Sequence, residues 1–127
     1  MRTHKHAANR LAANLFFSLH CAFSLFVVLG AFLATVNRGW IWPHVPAVLW
    51  AFSMNVANWT CPLTTWEQRF RRGANQPGSG GFIRHYIGPL LVTNGEPRRL
   101  EIAIGVSILI WNLLLYIVLF CRTTILA

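Results

Sequence analysis

Long apolar runs alternate with short polar segments along the chain. Three runs, at 11–36, 41–59 and 102–121, contain no Asp, Glu, Lys or Arg. A helical residue rises about 1.5 Å, so each run is about long enough to cross a hydrocarbon core of roughly 30 Å. In lipid every backbone polar group needs an internal partner, which a helix supplies locally. The pattern therefore predicts an all-α integral membrane protein with three transmembrane helices.

The connection at 60–101 is the irregular part of this predicted fold. Thr64 and Glu67 have the spacing of a capping box, which predicts a short amphipathic helix lying on the cytoplasmic membrane surface. The apolar stretch 82–93 is too short to cross a bilayer, so it predicts a re-entrant or interfacial segment. Residues 1–127 would then form a single membrane domain without a separate soluble part.

Composition and charge agree with this prediction and add an orientation. Hydrophobic residues make up 55% of the 127 residues, and 11 Lys and Arg stand against only 3 acidic residues. Basic residues precede the first run and occupy the 60–101 connection, whereas only Arg38 lies between the first two runs. The positive-inside rule therefore places the N-terminus and this connection in the cytoplasm and the C-terminus outside. No nucleic-acid-binding motif accompanies the charge, so we expect no nucleic-acid partner.

Polar and small residues share one face of each predicted span. On the second span the shared face consists of His44, Ala47, Ala51, Asn55 and Asn58. The corresponding residues are Glu101, Gly105, Asn112 and Tyr116 on the third span, and Asn14, Ser18 and Cys21 on the first, with His20 and Ser24 at the margin. Such faces let membrane helices approach closely and form hydrogen bonds. They predict a packed three-helix core, and a polar ligand cavity within the bundle is the alternative.

Histidines are the main ligand-binding candidates for that alternative. His20 lies within the first span, His44 at the outer end of the second, and His85 in the long connection. Neutral imidazole ligates haem iron or a transition metal, and Asn55 and Asn58 would add polar groups to such a site. No paired Cys/His spacing fixes a metal geometry, so a haem or metal cofactor stays open. The sequence has no nucleophile–base signature, and it assigns no catalytic residue.

Four segments, at 20–27, 40–50, 61–67 and 80–89, together resemble a known family. The most specific are Cys-Pro-Leu-Thr at 61–64 and Gly-Phe-Ile-Arg-His-Tyr at 81–86. Over nearly its whole length the chain is similar to the domain-of-unknown-function 2784 family of small bacterial membrane proteins. The resemblance implies a bacterial inner membrane and supplies no activity. It marks these motif positions for testing, beside the three histidines: Cys61, Pro62, Glu67, Gly81 and Tyr86.

The same resemblance bears on proton transfer. The family pattern has acidic residues near the positions that Asn14 and Asn55 hold in this chain. An amide cannot accept and release a proton as a carboxylate does. The resemblance therefore implies a binding or scaffolding role here and argues against proton transfer.

These observations lead to three functional hypotheses. The first is a non-catalytic accessory or structural subunit that packs against a larger membrane complex through the apolar third span, which carries Trp111 and Tyr116. The second is a haem-, metal- or small-molecule-binding protein that uses the histidine and asparagine face. The third is a membrane enzyme or transporter that works only as an oligomer. The scarcity of catalytic groups favours the first.

Overall fold

The computed structural model describes residues 1–75 and 97–126, and the regular elements within those ranges are all helical. The all-α prediction is therefore confirmed for this part of the chain, whereas the predicted segment 82–93 lies outside it. The elements in chain order are α1 (Arg2–Leu29), a 3₁₀ turn (Gly30–Phe32), α2 (Leu33–Val36), a second 3₁₀ turn (Arg38–Trp40), α3 (Ile41–Val56), α4 (Pro62–Gly73) and α5 (Pro97–Ile125).

Two helical stretches in the described ranges are long and apolar enough to cross a membrane. They are Arg2–Val36, with 35 residues, and Arg98–Ile125, with 28 residues. The prediction of a third spanning helix at 41–59 is wrong, because α3 contains only 16 residues. A helix of that length covers about 24 Å, which is short of a hydrocarbon core of roughly 30 Å.

The early end of α3 has a local cause in its C-terminal cap. Asn58 adopts a left-handed backbone conformation with φ of 58°. The Trp59 amide donates to the Met54 carbonyl at 3.1 Å, which is the long hydrogen bond of a Schellman motif. Asparagine tolerates this conformation better than most residues, so the helix ends before the predicted boundary at Trp59.

The described residues pack as two compact units. The first unit combines Met1–Phe23 with Thr60–Leu100, and the second combines Ser24–Trp59 with Glu101–Ala127. In the first unit α4 packs along α1 through aromatic rings. The Phe16 ring stacks on Trp66 at a centroid distance of 6.2 Å and on Phe70 at 5.6 Å. These contacts hold the predicted amphipathic helix against α1.

The start of α4 differs from the capping-box prediction. The helix begins at Pro62, with Cys61 as an N-cap residue whose side chain makes no capping hydrogen bond. Proline suits the first helical position because its missing N–H would have no helical partner there. Thr64 is therefore already inside the helix, and Glu67 pairs with Arg71.

In the second unit the predicted polar faces of α3 and α5 are largely confirmed. His44, Gly105 and Asn112 are buried, and Asn55 is half-buried. A Cβ added at Gly105 would lie 2.8 Å from the Asn55 Cβ, so this glycine permits a close approach of α5 to α3. Asn58 is exposed and does not belong to the buried face.

The face predicted on α1 is wrong at Asn14 and Ser18, whereas Cys21 is half-buried. Asn14 and Ser18 are exposed, whereas Ala13 and His20 are buried. The Ser18 hydroxyl donates to the Asn14 carbonyl of the same helix at 2.9 Å. This bond satisfies the serine without a neighbouring helix, so its polarity gives no information about packing.

Candidate functional site

A buried histidine is the centre of the polar interior of the second unit. His44 has no exposed surface. Its Nδ1 atom lies 2.6 Å from the Tyr116 hydroxyl oxygen, and its Nε2 atom lies 3.3 Å from the Val27 carbonyl oxygen. The Phe26 ring meets the imidazole edge to face at a centroid distance of 5.2 Å. We call His44, Tyr116, Asn112 and the Val27 carbonyl the histidine core.

The chemistry of the partners assigns the protons in the histidine core. A carbonyl oxygen only accepts, so His44 Nε2 must carry the proton that is donated to Val27. In the neutral ring Nδ1 is then an acceptor, and the Tyr116 hydroxyl donates to it. Both ring nitrogens are therefore in use, and binding of a metal ion or haem iron to either one would break an existing hydrogen bond.

Asn112 adds a second donor to the same carbonyl. This side chain is buried, and its Nδ2 donates to the Val27 carbonyl at 3.0 Å and to the Ile108 carbonyl at 2.9 Å. An exchange of the amide oxygen and nitrogen would place the oxygen against both carbonyls, which rules out the flipped assignment. Within the described residues the Asn112 Oδ1 is buried and lacks a hydrogen-bond partner.

The next carbonyl of α1 is used in a similar way. The Trp111 indole nitrogen donates to the Val28 carbonyl at 2.9 Å. The last carbonyls of an α-helix have no regular helical donor, and here α1 gives way to a 3₁₀ turn. Two adjacent side chains of α5 therefore donate to two adjacent carbonyls at the end of α1. This pairing fixes the register between these helix segments.

Gly30 provides the space for the imidazole. A Cβ added at this position would lie 2.3 Å from His44 Cδ2 and 2.8 Å from Nε2. Real Cβ atoms essentially never come so close to another heavy atom. Glycine is therefore required at the α1 end while the histidine occupies its present position.

The first unit contains a separate polar cluster between α1 and α4. His20 Nδ1 lies 3.0 Å from the Thr64 hydroxyl oxygen, and both side chains are buried. Glu67 is 3% exposed, and its Oε1 accepts from Arg71 Nε at 2.7 Å. A buried carboxylate needs such a charged partner, since loss of hydration would otherwise strongly disfavour its ionised form. The His20–Thr64 contact joins α4 to α1 beside the stacked aromatic rings, whereas the Glu67–Arg71 pair lies within α4.

Metal binding finds no ready site in the described part of the chain. No group of three or more His, Cys, Asp or Glu residues there is arranged to hold a metal ion. Cys21, Cys61 and Cys121 are free thiols.

Comparison with known proteins identifies the family. A family model described as Protein of Unknown function (DUF2784) matches residues 10–117. The chain belongs to this family. The resemblance seen in the sequence is thereby confirmed. No curated protein and no solved structure matches the chain significantly.

In this DUF2784 protein the candidate ligand residues do not form one site. His44 lies in the histidine core of the second unit, and His20 lies in the cluster of the first. The Asn55 amide donates to the Ala51 carbonyl of its own helix at 2.8 Å, and Asn58 belongs to the exposed cap of α3. His85 lies outside the described residues.

The motif positions of the DUF2784 chain have local structural roles where they are described. Cys61 and Pro62 start α4, and Glu67 pairs with Arg71 inside the first unit. Gly81 and Tyr86 lie outside the described residues.

Sequence reasoning missed some members of the two polar clusters. The capping-box spacing predicts Thr64 as a helix cap, but its hydroxyl contacts His20. The apolar pattern of the third run predicts an outward surface for Trp111, but its indole also donates to the Val28 carbonyl. The partners of Thr64 and Trp111 lie 44 and 83 positions away in the chain, so no local spacing indicates either contact.

Proposed function

We propose that this DUF2784 protein is a membrane-embedded accessory subunit, without a catalytic role, that packs laterally against a larger membrane complex. One observation carries the proposal. In the described ranges the buried polar side chains bind one another or the backbone, apart from the Asn112 Oδ1 atom, while most large apolar side chains are exposed. A chain built in this way uses its polar groups for its own structure and offers its apolar surface to other molecules.

The outward apolar surface supports a membrane location. Only 11% of the apolar window of Arg98–Ile125 is buried, and only 22% of that of Arg2–Val36. Core helices of soluble proteins are mostly buried, and soluble monomers rarely expose contiguous apolar patches above a few hundred Å². Lipid or another membrane protein would cover this surface, since the two long helices leave it open.

The distribution of charge supports an orientation within this proposal. Arg2, Lys5 and Arg10 precede the first apolar run, and Arg69, Arg71, Arg72, Arg84, Arg98 and Arg99 lie in the long connection. The positive-inside rule draws both segments to the cytoplasmic side. Two spanning helices alone would instead place them on opposite sides of the bilayer, so the predicted orientation, with the C-terminus outside, requires the chain to return across the bilayer between Arg38 and Thr60. The family resemblance suggests the bacterial inner membrane as the location.

α5 provides the most suitable partner surface. Val106, Ile110 and Leu113 recur at spacings of four and three residues, and their exposed fractions are 38%, 52% and 59%. This spacing places them on one stripe of the helix. Tyr116 is not part of that stripe, because its hydroxyl is bound to His44 inside the unit.

The histidine core argues against the ligand-binding alternative at His44. Both imidazole nitrogens have partners, and Gly30 leaves no room for an additional atom on that side of the ring. The alternative predicts that His44→Ala removes a bound chromophore or metal from a folded protein. An unchanged absorbance spectrum and metal content in that variant would count against ligand binding at His44.

Partner capture tests the proposal. The tagged full-length protein is purified from native membranes in a mild detergent, and co-purifying proteins are identified by mass spectrometry. A photo-reactive amino acid at Leu113 is compared with one at Leu25, whose exposed fraction on α1 is a closely matched 61%. We expect one stoichiometric large partner, with a discrete cross-link from the α5 position and lipid adducts from the α1 position. A partner-free preparation without a protein cross-link from Leu113 would overturn the proposal.

A further inference from the structure

A cleft of about 770 Å³ lies within the second unit, between α2, the start of α3 and the last turns of α5. Its walls are mainly apolar and include Ala34, Ile41, Ile117 and Phe120. The volume falls within the range of roughly 300–1,000 Å³ that small-molecule sites have. An elongated apolar group is the chemistry that such walls accommodate.

Arg38 gives this apolar cleft a single cationic group. Among the described residues that line it, Arg38 is the only one with a full charge. It is also the only Asp, Glu, Lys or Arg between positions 11 and 59 of the sequence. Among the described residues, no acidic side chain forms a salt bridge with Arg38. The guanidinium is exposed and its charge is uncompensated.

The hydroxyl groups of the cleft are already engaged in hydrogen bonds within the protein. The Thr35 hydroxyl donates to the Phe32 carbonyl at 2.6 Å, and the Thr123 hydroxyl donates to the Phe120 carbonyl at 2.8 Å. The Tyr116 hydroxyl is bound to the histidine core. The strong donors for a ligand in this cleft are therefore the N–H groups of Arg38, which match an anionic oxygen ligand such as a phosphate.

Aromatic residues beside Arg38 suggest the depth of this site. Trp40 and Trp42 follow it closely in sequence and are 43% and 84% exposed. Exposed tryptophans in membrane proteins concentrate at the headgroup level of the bilayer. A cation at that level next to an apolar cleft has the polarity of a phospholipid, with the phosphate at one end and an acyl chain at the other.

We propose that this cleft binds an anionic phospholipid, with one acyl chain along the apolar walls and Arg38 donating to the phosphate. The inference rests on the membrane location within the proposed function, and it does not depend on a protein partner. An anionic headgroup is favoured over a zwitterionic one because no carboxylate in the described ranges neutralises Arg38. The attraction between a basic side chain and an anionic headgroup is the electrostatic contribution to such recognition.

Lipid titration of the purified full-length protein tests the proposal. Native mass spectrometry in a mild detergent compares phosphatidylglycerol with phosphatidylcholine of identical acyl chains. Arg38→Gln removes the cation, Arg10→Gln is the control for net charge, and Thr35→Phe fills the cleft from an exposed position. One basic residue near the surface contributes an attraction equivalent to about a fivefold change in affinity, which is the loss expected for Arg38→Gln.

The variants separate a specific site from general attraction. The proposal expects retained phosphatidylglycerol in the Arg10→Gln variant, weaker retention in Arg38→Gln, and reduced binding of both lipids in Thr35→Phe. Equal binding of the two lipids by the unmodified protein would overturn the proposal. Equal losses in the Arg38 and Arg10 variants would also overturn it, since they would indicate non-specific charge. Partner capture with Arg38→Gln keeps the two proposals distinguishable, because loss of the lipid leaves the α5 stripe intact.

Discussion

Replacing Gly30 with alanine tests whether the histidine core determines the stability of the second unit. The added Cβ would lie 2.3 Å from His44 Cδ2, whereas ordinary van der Waals contact begins at 3.4 Å. The ring or the helix would therefore have to move by about 1.1 Å, the difference between those two distances. The ring is fully buried and held at both nitrogens, so such a movement breaks hydrogen bonds.

The magnitude follows from opposing terms. Overpacking of a well-packed interior destabilises by about 1–3 kcal/mol. Loss of one interhelical hydrogen bond in a membrane protein adds about 0.6 kcal/mol, and up to about 1.7. Alanine in place of glycine favours a helix by at most about 1 kcal/mol. We therefore expect Gly30→Ala to lower the free energy of unfolding by about 1–4 kcal/mol, while helix propensity alone predicts an increase.

A double-mutant cycle gives the assay and its control. The free energy of unfolding is measured in mixed micelles for the unmodified protein, Gly30→Ala, His44→Ala and the double variant. Removal of the imidazole also removes the clash, so Gly30→Ala should be neutral or stabilising when His44 is already alanine. If Gly30→Ala is at least as stable as the unmodified protein while His44 is present, the geometry of the histidine core as described is refuted.

Three further substitutions test individual contacts. Tyr116→Phe removes the hydroxyl that donates to His44 Nδ1. We expect the free energy of unfolding in the same micelle assay to fall by about 0.6–1.7 kcal/mol, and an unchanged value would argue against that hydrogen bond. Thr64→Val preserves the side-chain shape but removes the hydroxyl that contacts His20, so proteolysis within α4 should accelerate. In a chain that already carries His20→Ala, adding Thr64→Val should not accelerate proteolysis further. Glu67→Gln removes the carboxylate charge from the buried ion pair with Arg71, so amide hydrogen exchange throughout α4 should become faster. An exchange pattern like that of the unmodified protein would show that the pair does not stabilise α4.

The polar stripes on α3 and α5 were predictable from the sequence because these polar residues recur at helical spacing within otherwise apolar runs. His44 and Asn112 are buried as the helical spacing predicts. Neither the donors to the α1 carbonyls nor the role of Gly30 was predictable, because both depend on the 3₁₀ turn that interrupts the helix. No sequence rule places such a turn inside an uninterrupted apolar run.

Local backbone chemistry explains the predictions that were wrong. Hydropathy treats 41–59 as continuous, but a left-handed Asn58 and its cap end α3 earlier. The capping-box spacing of Thr64 and Glu67 has a competing start signal at Pro62, which is better suited to the first helical position. In both cases a backbone preference of one residue overrides a pattern that spans several residues.

Most buried polar groups in the described part of the chain already have hydrogen-bond partners, with Asn112 Oδ1 as the exception, and this limits where function can reside. His44 uses both nitrogens, and the hydroxyls of Tyr116 and Thr64 contact histidines. A substrate or cofactor would have to displace these hydrogen bonds. Each displaced bond would leave a buried polar group without a partner, which costs free energy in an interior of low dielectric constant. Binding of a substrate or cofactor in the interior would therefore destabilise the fold. Binding at the outer apolar surface or at Arg38 leaves the interior hydrogen bonds unchanged. This asymmetry is the physical reason for placing both proposed interactions, a protein partner on α5 and a lipid in the cleft, on the outside of the helices.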